Sequence, residues 1–68
     1  MRTFGENLRK ERIMRGMTQQ QLANKLGLKQ QQISEWERDK VEPTLYSLLA
    51  IMDALNSDFE DLTEDIKR

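Results

Sequence analysis

The chain contains no cysteine and no histidine. Disulfide staples are therefore excluded, as are metal sites built on thiolate or imidazole, and nothing in the inventory points to an oxidising compartment. No run of eighteen apolar residues occurs and no charged-then-apolar leader opens the sequence, so the chain is expected to be cytoplasmic, neither secreted nor spanning a membrane. At 68 residues it is expected to form one domain over residues 1–68, burying only about 60 % of its unfolded surface. Without histidine or cysteine, and with carboxylates scattered along the chain, an enzyme is not expected. No cofactor, metal or small-molecule ligand is indicated.

A net charge of −1 hides an uneven distribution. Residues 1–40 carry nine basic and five acidic side chains, a balance of +4, and the remainder carries −5. Such asymmetry is a hint of a nucleic-acid-binding face, although on charge alone a mixed solvated surface is the plainer reading.

Apolar spacing and capping residues divide the sequence into five helices, at about residues 4–15, 18–26, 30–38, 45–55 and 59–66. Phe4 and Leu8 start the first stripe, and Gly16 stands where a left-handed residue would end it. Thr18 lies three residues before Gln21, the spacing of a capping box. Gly27 stops the second helix. Ile33 and Trp36 mark the inward side of the third, and Asp39 ends it. Beyond the only proline, Pro43, Thr44 can cap a fourth helix in which Leu45, Leu48, Leu49, Met52 and Leu55 follow the helical period. Asn56 can take the next left-handed stop, and Asp58 can cap a last stripe of Phe59, Leu62 and Ile66. Trp36, Met14, Met17 and Met52 are read as packing residues.

The second and third helices are short and separated only by the residues around Gly27. So tight a connection requires a steep crossing, with a small residue at the contact and a turn glycine at positive φ. Ala23, Gly27 and Ile33 meet these requirements. From about Phe4 to Leu62 the chain, and most specifically "LRKERIMRGMTQQQLANKLGLKQQQISEWERDKVEPTLYSLLAIMDAL", resembles the phage-repressor and Cro-like helix-turn-helix family, also called the XRE family. The resemblance rests on Arg12, Gly16, "TQQQLA", Gly27, "IS.WE", Lys40, "PT" and the leucine-rich helix after them. It implies an all-α, five-helix domain whose third helix enters the major groove of double-stranded DNA. Three positions depart from the family pattern: Lys29 in place of a hydroxyl cap, Glu35 at an outward position, and Arg38-Asp39 in place of Asn-Gly.

Every glutamine lies in one of two triplets, 19–21 and 30–32. With Ile33, Trp36 and Glu37 turned inward, the opposite stripe of the third helix is Gln30, Gln31, Ser34, Glu35 and Arg38. A glutamine amide can donate and accept at once, matching adenine N6 and N7, while Glu35 can accept from cytosine N4. Gln30, Gln31, Ser34 and Glu35 are thus candidates for reading bases. Gln19 and Gln20, at an amino-terminal helix end, and Lys29, Arg38, Lys40 and Thr44, flanking the third helix, are candidates for phosphate contact. The plainer reading of the glutamines is that they are soluble helix formers.

Arg12 falls four residues after Leu8, and Glu37 four after Ile33, so both charges should face inward. They are expected to pair, a structural ion pair that the family resemblance also implies; otherwise each sits exposed at its helix edge. The combined expectation is a sequence-specific transcriptional regulator, acting as a repressor, that binds a pseudo-palindromic DNA site as a homodimer; Phe59, Leu62 and Ile66 are a possible dimer face, with core packing of the last helix as the plainer reading for Phe59 and Leu62. The alternative is a protein-interaction module on the same scaffold, an antitoxin or partner-binding regulator with little or no DNA binding.

Overall fold

Capping groups set the helix boundaries. The computed structural model describes residues 2–66, and these form α1 (Phe4–Met14), α2 (Gln19–Leu26), α3 (Gln30–Glu37), α4 (Leu45–Leu55) and α5 (Phe59–Leu62), with no strand among the described residues. Thr3, Thr18, Thr44 and Asp58 each accept a hydrogen bond from the backbone N–H three residues on, at 2.9–3.2 Å. Each such cap contributes about 1 kcal/mol. Glu6, Gln21 and Asp61 return the bond to the cap's own N–H, closing three capping boxes. At α3 only half of this arrangement exists: Gln32 Oε1 accepts from Lys29 N at 3.0 Å, while the lysine side chain has nothing to accept with.

The helices stop where the backbone turns left-handed. Gly27 (φ 70°) ends α2 and Asn56 (φ 51°) ends α4. After α3 the same role falls to Asp39 (φ 59°). Its carboxylate then reaches the start of α1, where Oδ2 accepts from Thr3 Oγ1 at 2.6 Å and Oδ1 from Gly5 N at 2.9 Å. An aspartate in this turn therefore caps a helix more than thirty residues away in sequence.

Eight side chains, Leu8, Leu22, Ala23, Ile33, Trp36, Ile51, Leu55 and Leu62, form the buried core. α3 packs on α1 and α2, α4 on α2, and α5 on α1. The sequence pattern misplaced several residues. Leu45 and Leu49 face outward and Ile51 is buried, so the inward side of α4 is turned from the expected leucine stripe. Met14 and Phe59 are more than half exposed and are not core residues, whereas Leu62 is fully buried, as its core reading expected. The last helix ends at Leu62, not at residue 66. There Asn7 Nδ2 donates to the carbonyls of Leu62 (3.1 Å) and Glu64 (2.9 Å), and Arg2 N donates to Asp65 O (3.1 Å). Asp65 adopts φ 60°, so the carbonyls that would extend α5 are turned toward α1 instead. Arg15 and Arg38 follow α1 and α3 as terminating residues, and Thr18 precedes α2 as its cap.

One ion pair crosses the core. Arg12 clasps Glu37 with two parallel bonds, Nε to Oε2 at 2.6 Å and Nη2 to Oε1 at 3.1 Å, and its Nη1 donates to Met17 O at 2.7 Å. The paired side chains are 10 % and 2 % exposed. A second polar group joins α1 to the end of α4: Glu11 Oε1 accepts from Arg15 Nη1 (3.0 Å) and Ser57 Oγ (2.7 Å), while Arg15 Nε donates to Leu55 O (2.6 Å). Among the described residues no buried side-chain nitrogen or oxygen lacks a partner, which is the condition under which buried charge is tolerated.

Two substitutions probe this packing. A β-carbon at Gly5 would run into the carbonyl oxygens of Trp36 and Glu37, so Gly5→Ala is expected to lower stability by about 1–3 kcal/mol in urea denaturation. Arg12→Met leaves Glu37 buried without its partner, and a loss of about 3–5 kcal/mol is expected in the same measurement.

Candidate nucleic-acid interface

Gly27 joins α2 to α3, and the amino ends of both helices are open to solvent. Gln19, Gln20, Gln30, Gln31 and Lys29 are not buried, and Arg38, Lys40 and Thr44 are exposed around the carboxyl end of α3 and the start of α4. α3 buries Ile33, Trp36 and Glu37 and turns Gln30 and Gln31 outward, with Ser34 and Glu35 half-buried between the two sides.

A chain of hydrogen bonds runs from the core to this surface. Glu37 Oε1, already held by Arg12, accepts from Gln19 Nε2 at 3.0 Å. Gln19 Oε1 in turn accepts from Gln30 Nε2 at 3.2 Å. The carboxylate settles the direction of both amides, since only a nitrogen can face an oxygen that has no proton. Gln30 therefore keeps its carbonyl oxygen and one N–H for an external group, the pair of functions that adenine's Hoogsteen edge requires. This order was not legible in the sequence, because it depends on α2 and α3 being packed side by side. Gln31 is held more loosely, with 3.5 Å between its Nε2 and Glu35 Oε2.

The other expected contacts differ in how far they are already engaged. Gln20 Nε2 bonds to Asn24 Oδ1 at 2.8 Å. Thr44 Oγ1 accepts from Ser47 N and donates to Ser47 Oγ, both at 3.1 Å. Arg38 makes only a long 3.4 Å bond to Ser34 O.

Charge on the surface is sorted by these engagements. Arg2 and Lys10 are paired with Glu64, Arg12 with Glu37, and Arg15 with Glu11. Glu64 is held below the usual carboxylate range, chiefly by the hydrogen bond from Lys10 and then by the charges of Lys10 and Arg2. Lys25 donates to Ala54 O. Lys29 and Lys40 make no side-chain hydrogen bond or ion pair among the described residues, and Arg38 has no carboxylate partner there. The cations that bracket α3 are thus available to an external anion, whereas those on α1, except Arg9, are neutralised internally. Among the described residues no group of three histidine, cysteine, aspartate or glutamate side chains could hold a metal, and no helix is long and apolar enough to cross a membrane.

Comparison with known proteins places this geometry in a family. No curated protein matches the sequence. Among solved structures, the chain is similar to the P22 c2 repressor protein, crystallised in complex with synthetic operator 9T in the presence of Tl+. The two share 32 % identity with a TM-score of 0.84, over 91 % of this chain and 94 % of that one. The family model described as helix-turn-helix matches residues 8–62, from the first buried leucine of α1 to the last residue of α5, and the chain belongs to that family.

Proposed function

We propose that the protein is a sequence-specific double-stranded DNA-binding transcriptional regulator, acting as a repressor. α3 enters the major groove, and two copies read an inverted repeat. The observation that carries this reading is the path from Glu37 through Gln19 to Gln30, which presents an oriented amide at the exposed amino end of α3. The P22 c2 repressor protein, similar over nearly the whole chain, was crystallised with operator DNA.

In this reading Gln30 and Gln31 contact base edges, and a good bidentate pair supplies about 1–3 kcal/mol of discrimination. Ser34 and Glu35 face the next bases along the groove, Glu35 as an acceptor for cytosine N4. Gln19 is a positioning residue for Gln30 and also lies where a phosphate can approach the start of α2. Lys29, Arg38 and Lys40 supply charge to the backbone, while Gln20 and Thr44 add neutral hydrogen bonds that fix register. Lys29 replaces a helix cap with a cation, exchanging a local hydrogen bond for a reach toward phosphate.

Selection of the protein against random duplex DNA at low salt should enrich an inverted repeat with adenine in each half-site. Gln30→Ala should bind that site about 5- to 150-fold more weakly and relax the preference at the adenine alone. Gln19→Ala should relax the same position with little change elsewhere, an outcome that loss of a phosphate contact alone does not produce. Failure of the folded protein to enrich any sequence would defeat the reading in favour of a protein-binding module.

Affinity should also fall with salt, because each neutralised phosphate releases counterions and contributes about −0.9 to the log–log slope. Lys40→Ala is expected to flatten that slope by about 1 per subunit without altering the selected sequence.

A further inference from the structure

Gln30 holds its amide in one direction for a reason that lies in the core. Its Nε2 donates to Gln19 Oε1 at 3.2 Å, and Gln19 Nε2 donates to Glu37 Oε1 at 3.0 Å. Turning the Gln30 amide over would set its oxygen against the Gln19 oxygen. Turning Gln19 over as well would set that oxygen against the Glu37 carboxylate, again acceptor against acceptor. The carboxylate cannot turn aside, because Arg12 grips both of its oxygens and its side chain is only 2 % exposed. The Gln30 oxygen is therefore an acceptor that cannot be exchanged for a donor without disturbing the buried ion pair.

We propose that this fixed acceptor makes the protein a reader of adenine modification: it binds duplex DNA whose half-site adenine carries an unsubstituted N6 amino group, and binds the same site more weakly once that nitrogen is methylated. The inference rests on the base contact proposed above for Gln30. In a duplex one N6 hydrogen pairs with thymine, and the other points into the major groove beside N7. A methyl group on N6 that leaves the base pair intact takes the place of the second hydrogen. It removes the donor that Gln30 Oε1 would accept, and its bulk stands beside N7, where the Gln30 N–H is aimed. One substitution thus takes away both halves of the bidentate contact and leaves the carbonyl facing a carbon.

A mobile glutamine would lose the same bonds but could swing its amide into water, which keeps the penalty small. Gln30 is restrained by Gln19, so it either meets the methyl group or gives up the bond to Gln19 as well. Gln31 supplies the contrast on the same turn of helix. Its amide is bonded only at 3.5 Å, to Glu35, and has no link to the buried pair. Through Gln30 the methylation state of the half-site becomes an input to regulation.

Titrations would use the duplex recovered by selection, the same duplex with N6-methyladenine in place of one half-site adenine, and a third with N6-methyladenine outside the half-sites. The second should bind about 5- to 150-fold more weakly than the first, and the third as the first does. Gln30→Ala should bind modified and unmodified half-sites alike, since nothing then faces the methyl group. Gln19→Ala, which frees Gln30 to swing aside, should show a smaller penalty than the unaltered protein, and Gln31→Ala should keep the penalty in full. Equal binding of the first two duplexes by the unaltered protein would overturn the inference. So would a penalty that survives in Gln30→Ala, is undiminished in Gln19→Ala, or vanishes in Gln31→Ala. Each of these results leaves the selected sequence, and with it the DNA-reading function, standing. A selected site with no adenine in its half-sites would remove the Gln30 contact and this inference together.

Discussion

The bidentate contact between Arg12 and Glu37 is the interaction on which the arrangement depends. Removing two charges from water costs several kcal/mol per ion, and the attraction between them offsets this only if the remaining donors and acceptors are also occupied. Here they are: Met17 O takes the third guanidinium bond, and Gln19 takes the free side of the carboxylate. Hydrophobic packing alone would allow α1 and α3 to slide by a fraction of a turn, since apolar contacts are not directional. A planar fork set against a carboxylate does not permit that freedom. The pair therefore acts as a register key between the helix that supports the surface and the helix that presents it.

The same helix pair is fixed at a second point. Gly5 lets the backbone of α1 approach the last carbonyls of α3, and Asp39 then reaches back to the N–H of Gly5 and the hydroxyl of Thr3. One attachment sits at the core and the other at the rim. α3 is thereby held against both translation and tilt, while its amino end, with an incomplete cap at Lys29, is the less constrained part. Rigidity at one end with adaptability at the other would suit the groove-reading role proposed for this helix.

Local features were legible in the sequence because their causes are local. Capping needs a hydroxyl or carboxylate and an acceptor three residues on, so Thr18 with Gln21, and Thr44 and Asp58 as caps, could be read directly. The left-handed stops at Gly27 and Asn56 follow from residue type. Other features depend on which elements meet. α4 is apolar around most of its circumference, so periodicity could not choose between Leu45 and Ile51 as its inward side; packing against α2 made the choice. The end of α5 was hidden because the residues that redirect its carbonyls, Asn7 and Arg2, lie at the opposite end of the sequence. Asp39 was legible as a stop, but its role as a cap for α1 was not. At the candidate interface the outward glutamines could be named from spacing, whereas the direction in which Gln30 holds its amide required the buried carboxylate behind it.

The hydrogen bond from Arg2 N to Asp65 O has a topological consequence. It sets the residues just before α1 beside those just after α5. Proteins with adjacent ends tolerate circular permutation and insertion into a host chain. Entry and exit at one place let the five helices be carried as a cassette within a longer chain without being pulled apart.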